Sequence, residues 1–152
     1  MVRVLVDDQI FVLQQRGGIS RYHVELADHC AADPSCSVIR PTGAVANTLA
    51  AQRWGLPLIR TAAGRGMRRR RVLAQRSAFP EADLVHHTFY DPEVLQRPGV
   101  RRRVVTVHDM IPELLPDQVP SETHAAKRKY VDAADLILTN SEITKRDLIR
   151  CF

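Results

Sequence analysis

The sequence of 152 residues contains no apolar run approaching the roughly 18–20 residues of a membrane span, and no basic leader marks a signal peptide. These two absences favour a cytoplasmic protein. Cysteine is scarce: Cys30, Cys36 and Cys151 are odd in number and irregularly spaced. That pattern argues against a disulfide framework and against a zinc site, so we expect free thiols.

Several motifs of nucleotide-binding and hydrolytic enzymes are also missing. The chain has no G-x-G-x-x-G fingerprint, no G-x-x-x-x-G-K-[ST] phosphate loop and no G-x-S-x-G nucleophile elbow, which argues against a Ser-His-Asp triad. Aromatic residues make up only 5% of the chain. Few side chains are therefore left to stack on bases, which disfavours nucleic acid as a partner.

The net charge of +5 is concentrated in two segments, residues 64–76 and residues 97–103, which hold six and four arginines. Without these ten of the 22 Lys and Arg, 12 basic residues face 17 acidic ones. The first segment contains Arg65, Arg68, Arg69, Arg70, Arg71 and Arg76, and it is predicted to be a helix that ends before Pro80. We expect it to meet an anionic surface such as phospholipid or nucleic acid, with a solvated basic face as the alternative.

Apolar segments alternate with amphipathic ones along the chain. The apolar segments predict strands at residues 2–7, 36–40, 56–60, 83–87, 102–109 and 135–140. The amphipathic segments predict helices at residues 19–32, 121–134 and 142–152, the last two with Ser121 and Ser141 as N-caps. This alternation indicates a single Rossmann-like, doubly wound α/β domain with a parallel sheet covered on both faces.

Polar residues follow four of the predicted strands at the point where each strand ends. They are Asp7-Asp8, His86-His87, His108-Asp109 and Asn140-Ser141. Because ligands in such folds bind beyond the carboxyl ends of the strands, we expect these side chains to lie together at a site. A metal centre built from the three histidines is disfavoured, since His86 and His87 should point to opposite faces of the sheet.

The double glycine Gly17-Gly18 lies in the segment QQRGGISRYHVEL, between the first strand and the first long helix. Glycine allows a ligand to approach the backbone, and a helix N-terminus attracts phosphate through its free N–H groups and dipole. A plain tight turn remains the alternative, because no complete phosphate motif is present. His108, beside Asp109, is placed to donate to a substrate hydroxyl or to orient a reacting group.

The segments DDQIFVLQQRGGISRYHVEL, DLVHHTFYDP, RVVTVHDMIPELLP and ADLILTNSEITKRDLIR follow one another along nearly the whole chain. In this order and spacing they resemble the N-terminal domain of family 4 glycosyltransferases, which have the GT-B fold. The resemblance implies that residues 1–152 are the acceptor-side half of a retaining transferase. Such an enzyme moves a sugar from a nucleotide-diphosphate donor to the hydroxyl of a glycan, lipid-linked or natural-product acceptor.

The resemblance also assigns roles to individual residues. It implies that Gly17 and Gly18 approach the donor diphosphate, that His108 faces the reacting sugar, and that Asp109 supports His108 or contacts the acceptor. The loop expected to line the acceptor side consists of Thr88, Phe89, Tyr90 and Asp91. The resemblance implies no metal or other cofactor, because protein charges and helix ends stabilise the leaving diphosphate. The basic helix would dock on anionic membrane, which suggests a peripheral location at its inner face.

The family's second domain, which binds most of the nucleotide and carries an E-x7-E motif, is expected outside these 152 residues. We therefore expect little or no transferase activity from these residues alone. Two other functions remain open. One is a nucleotide- or nucleic-acid-binding α/β module that uses its arginines on phosphates. The other is a non-catalytic half-domain that pairs with a separate subunit.

Overall fold

The computed structural model describes residues 1–59, 79–118 and 126–152. The basic segment at residues 64–76 and the predicted cap Ser121 lie outside these ranges. Five strands form one parallel sheet in the order β2-β1-β3-β4-β5. They are β1 (Val2–Val6), β2 (Cys36–Ile39), β3 (Ala82–His87), β4 (Val100–Val107) and β5 (Leu136–Thr139). The predicted Rossmann-like α/β fold is confirmed.

Seven helices lie in the described part of the chain. They are α1 (Gln9–Leu13), α2 (Gly18–Ala32), α3 (Thr48–Trp54), α4 (Pro92–Leu95), α5 (Ile111–Leu114), α6 (Lys127–Ala133) and α7 (Glu142–Cys151). Helix α2 matches the predicted first helix, and α7 begins after Ser141 as predicted. The Ser141 hydroxyl accepts a hydrogen bond from the backbone N–H of Thr144 at 3.1 Å, so it is a true N-cap.

Alternating side chains of the strands supply a core on each face of the sheet. On one face, Val6 packs with Val24 and Ala27 of α2, together with residues of α1 and α3. On the other face, three smaller clusters pack the strands against α4, α6 and α7. Val105, for example, contacts Tyr130 of α6 there. The sheet is therefore covered by helices on both sides, as a doubly wound fold requires.

The predicted strand at residues 56–60 is wrong for the described residues of that segment. Gly55, with φ of 65°, ends α3 in the left-handed conformation and turns the chain away. Leu58 then forms a single parallel bridge with Val45, outside the five-stranded sheet. Leu56 packs on the cluster around α2 and α3, so the apolar residues of this segment cover a helix pair instead of extending the sheet.

Candidate functional site

The strand order reverses between β1 and β3, because the chain leaves β1 toward β2 on one side and returns to β3 on the other. In open α/β sheets, the carboxyl edge at such a reversal is where loops separate and ligands bind. The residues that follow β1 and β3 therefore occupy the position at which a site is expected. This edge has a buried base and an open rim.

Asp7 forms the base of this edge. Its carboxylate is buried and accepts hydrogen bonds from the His87 ring (2.8 Å), the Gln9 side-chain amide (2.6 Å) and the Thr88 backbone N–H (3.1 Å). The Thr88 hydroxyl also donates to it. Burial alone raises the pKa of Asp7, but the hydrogen bond and charge from His87, with the bonds from Thr88 and Gln9, outweigh burial and lower that pKa. Asp7 is therefore an ionised carboxylate committed to holding β1 and β3 together.

The loop predicted to contact an acceptor is tied into the same network. The Tyr90 hydroxyl donates to the backbone carbonyl of Thr106 at 3.1 Å. The Asp91 N–H donates to the Gln9 side chain at 2.8 Å, and the Asp91 carbonyl accepts from the Tyr130 hydroxyl. Thr88, Tyr90 and Asp91 are buried, and only Phe89 in this loop is half-buried. Contact of these four residues with an acceptor stays a prediction, and Phe89 is the one nearest to solvent.

The rim begins at the double glycine. The Gln14 side-chain oxygen accepts a hydrogen bond from the Ser20 N–H at 3.1 Å, and the Ser20 hydroxyl donates to the Gly17 carbonyl at 3.1 Å. A Cβ atom on Gly17 would lie 2.3 Å from the Gln14 side chain, whereas one on Gly18 would meet nothing within 4 Å. A side chain at Gly17 would therefore displace the flexible end of Gln14, which caps α2. Gly18 faces open space, with the first free N–H groups of the helix behind it.

Asn47 locks this turn in place. Its buried side-chain amide donates to the Ser20 hydroxyl at 2.8 Å and to the Gln14 carbonyl at 3.0 Å, while its oxygen caps α3 by accepting from the Ala50 N–H at 2.9 Å. Asn47 was not among the residues predicted from the sequence. An Asn directly before the helical run TLAAQRW is nevertheless an N-cap signal that is visible in the sequence.

An open cleft of about 370 Å³ lies beside the glycine turn. Its lining residues are Arg16, Gly17, Ser20, Arg21, Asn47, Thr48, Leu49 and Gln52. Arg16 and Arg21 are exposed, and no acidic side chain is among these lining residues. Two guanidinium groups and the N-terminus of a 15-residue helix give this cleft a positive potential, so it suits an anion.

Three histidines form a cluster on the α2 face of the sheet. The His23 ring lies edge-on to His86 and His108, with centroid separations of 5.0 and 5.7 Å. His23 is 1% exposed, and within the described residues neither of its ring nitrogens has a hydrogen-bond partner. Burial lowers the pKa of His23 well below its usual value and brings the pKa of His86 to about 4. The cluster is therefore neutral at pH 7. His23 was missed because it continues the helical periodicity of α2 and is hidden among apolar residues.

His108 connects this cluster to the rim. Its ring packs edge-on against Tyr22, with centroids 5.1 Å apart, and Tyr22 follows Gly18 by four residues, about one helical turn. Burial lowers the pKa of His108, although the charge of Asp109 opposes that shift. The Asp109 carboxylate accepts from the Ile111 N–H at 3.2 Å, which shapes the turn after β4. The structure thus packs His108, which follows β4, against the helix that begins at the glycine turn.

The other predicted groups at this edge have local roles. The Ser141 hydroxyl caps α7, while the Thr144 hydroxyl donates to the Asn140 side chain at 3.1 Å. His86 bonds to Thr106 on one face of the sheet and His87 to Asp7 on the other, which confirms that these two rings diverge. Within residues 1–59, 79–118 and 126–152, no group of three or more His, Cys, Asp or Glu could hold a metal ion. No helix in these same ranges is long and apolar enough to cross a membrane.

Comparisons of this chain with protein-family models, with curated proteins and with solved structures gave no match.

Proposed function

We propose that this chain is the acceptor-side domain of a retaining, GT-B-type glycosyltransferase, and that the cleft at Arg16 and Arg21 receives the diphosphate of a nucleotide-sugar donor. The observation that carries the proposal is the contact between His108 and Tyr22. It joins the histidine expected to face the sugar to the helix whose N-terminus is expected to approach the diphosphate. Two motifs that are 90 residues apart along the chain (Gly18 and His108) are therefore linked through one helix.

The electrostatics of the cleft support a diphosphate as the anion. When the bond between the sugar and the diphosphate breaks, negative charge develops on the leaving oxygen. Fixed N–H dipoles at the start of α2 and the guanidinium groups of Arg16 and Arg21 stabilise such charge without a metal ion. The open space at Gly18 allows an anion to reach the backbone N–H groups of Gly18 and Ile19.

The state of His108 supports contact with a sugar hydroxyl. The Nε2 atom of His108 is buried, so Nδ1 is the ring nitrogen left for a substrate. A neutral imidazole nitrogen donates to or accepts from a hydroxyl group, depending on the tautomer. Because burial lowers the pKa of His108, the ring is neutral at pH 7. The packing of Tyr22 and His23 against it fixes the ring direction before a substrate arrives.

The diphosphate part of the proposal is tested with inorganic pyrophosphate. Amide NMR signals of Gly18, Ile19 and Ser20 should shift saturably as pyrophosphate is added, and the shifts should be lost when Arg16 and Arg21 are both changed to Gln. The matched control is Arg150→Gln, an exposed arginine at the other end of the chain, on α7. Shifts that are absent, or that are equally large with the arginine pair removed, contradict a diphosphate site.

The transferase part needs the second nucleotide-binding domain that the resemblance implies. In a protein that contains both domains, turnover of nucleotide sugars should fall strongly when His108 is changed to Ala. Thermal stabilisation of the chain by acceptor glycans supports the transferase. A salt-dependent complex with random double-stranded DNA, without any response to glycans, favours the nucleic-acid-binding module instead. Steady turnover by residues 1–152 alone contradicts the need for a second domain.

We also propose that the acceptor is lipid-linked or membrane-bound, with the arginines of residues 64–76 docking on anionic lipid. The composition of that segment supports this proposal, since six arginines are interspersed with Met67, Val72 and Leu73 and no acidic residue. Nucleic acid is the less favoured partner for this segment, for want of aromatic side chains that stack on bases.

A further inference from the structure

Lys127 is a buried lysine at the start of α6. It is 1% exposed, which is rare for a lysine and requires its charge to be compensated. Its ammonium group donates to the Glu113 carboxylate at 2.8 Å and to the backbone carbonyl of Asp109 at 2.9 Å. It also lies 5.9 Å from the centroid of the Tyr90 ring, within the range of a cation–π contact.

These three contacts come from three different parts of the edge. Asp109 directly follows His108 in the turn after β4, Glu113 is in α5, and Tyr90 belongs to the loop after β3. Lys127 therefore contacts both loops that carry residues of the proposed site. A carbonyl that accepts from a buried ammonium group is held far more firmly than one that accepts from water. The hydrogen bond is strengthened by the charge of the donor, and breaking it would leave a buried charge with one partner fewer.

We propose that Lys127 is a positioning residue, which fixes the direction of the His108-Asp109 turn by holding the Asp109 carbonyl and the Glu113 carboxylate together. The Asp109 carbonyl belongs to the peptide that leads out of the turn, so its fixed orientation limits how the turn presents the His108 ring. His108 is held from its other side by Tyr22. His108 is thus held by α2 through the contact of its ring with Tyr22, and by α6 through the bond of Lys127 to the carbonyl of the next residue.

The importance of this arrangement for sugar transfer rests on the proposed function, but the claim that Lys127 controls the turn is independent of it. The alternative is that Lys127 merely adds to the stability of the whole domain. The two roles differ in where the effect of a substitution appears. A positioning residue alters the turn and the His108 ring, whereas a general stabiliser alters the whole sheet equally.

The test is native-state hydrogen exchange and histidine-ring NMR on the 152-residue chain with Lys127→Met, which keeps the apolar stem and removes the charge. The amides of Leu114 and Leu115, which bond to Met110 and Ile111, report on the turn and α5. We expect their exchange to accelerate at least about tenfold relative to the amides within β1 and β3. We also expect the His108 ring signal to move. Arg128→Met, which removes an exposed charge from the next position, should change neither reading.

Exchange that accelerates equally in all strands, or a His108 signal that does not move, overturns the proposal. If Lys127→Met does not fold, Glu113→Gln decides by the same two criteria. That variant keeps the bond from Lys127 to Asp109 but removes the counter-charge, so a smaller effect in the same places is expected. Neither reading involves a substrate. A failed transferase assay therefore leaves this result intact, and a negative result here leaves the transferase proposal intact.

Discussion

The imidazole of His108 stands nearly perpendicular to the phenol ring of Tyr22, at 86° and with 5.1 Å between the centroids. The Tyr22 hydroxyl reaches Thr106 of β4 at 3.4 Å, so the same side chain ties α2 to the strand that leads to His108. These contacts pack the helix of the glycine turn against both β4 and the histidine that follows it.

The two glycines should respond differently to substitution. Gly18→Val places its side chain in open space, so the free energy of unfolding should change by no more than about 0.5 kcal/mol. The same side chain should hinder an anion at the helix N-terminus and weaken pyrophosphate binding about tenfold, the loss of roughly one charged hydrogen bond.

Gly17→Ala should instead displace the Gln14 cap and destabilise the fold by about 1 kcal/mol. Urea unfolding and pyrophosphate titration measure both effects. Unchanged binding in Gly18→Val reduces the motif to a plain turn.

Acid should destabilise the domain through His86. Its pKa is about 4 in the folded protein, below the usual value of 6.5, because burial disfavours the charged ring. The unfolded chain therefore takes up the proton first, and stability present above pH 6.5 is lost as the pH falls from 6.5 to about 4. The expected loss from His86 is roughly 3 kcal/mol. Urea unfolding at pH 7 and pH 4.5 should show a smaller difference for His86→Gln than for the original chain. An equal difference contradicts this assignment.

Asp7→Asn should be severely destabilising. The amide cannot accept the full set of hydrogen bonds that the carboxylate receives from His87, Thr88 and Gln9, and it removes the charge beside His87. We expect a loss of about 3 kcal/mol in the free energy of unfolding. Asp132→Asn, at an exposed surface pair with Arg128, is the matched control and should lose no more than about 0.5 kcal/mol. Similar losses in the two variants contradict a special role for Asp7.

The basic segment should bind anionic vesicles in a salt-sensitive manner. Binding to vesicles that contain phosphatidylserine should weaken as ionic strength rises and should fall sharply when Arg68, Arg69, Arg70 and Arg71 are all changed to Gln. Sedimentation with vesicles measures the bound fraction, and vesicles of phosphatidylcholine alone are the control. Equal binding to both vesicle types contradicts docking through charge.

The sequence predicted the sheet well because its strands are short apolar runs with polar ends. The segment at 56–60 shows the limit of that argument, since an apolar run indicates burial but not the partner that buries it. Leu56 packs on the helix pair of α2 and α3, and Leu58 forms a single bridge with Val45. Periodicity also could not predict that β4 begins at Val100, because the first residues of a strand can carry exposed charged side chains, as Arg101 and Arg102 do.

The sequence placed the candidate site at the carboxyl edge of the sheet but not the residues that support it, and the roles of the site residues stay predictions. Position at a strand end identified His108 and Asp109, and the turn composition identified Gly17 and Gly18. The residues that hold them, above all Asn47 and Lys127, act through contacts between segments that are distant in the chain. Such contacts depend on the packing of helices against the sheet, which local patterns do not encode. His23 was missed for a different reason. It follows the local helical pattern of α2, in which a buried histidine has the same spacing as a buried leucine.

The hydrogen bonds of Asp7 also bear on how the protein is made. Its carboxylate pairs with His87 of β3 and with Thr88 of the following loop. These two residues lie 80 and 81 positions further along the chain. During synthesis β1 therefore leaves the ribosome with a charged group that has to stay in water until the middle of the chain arrives. Strand β1 can pair with β2 early, but it cannot be buried on the side of Asp7 before His87 and Thr88 emerge. The carboxylate that joins the finished sheet thus also delays the burial of β1 on that side until β3 and the loop after it have been synthesised.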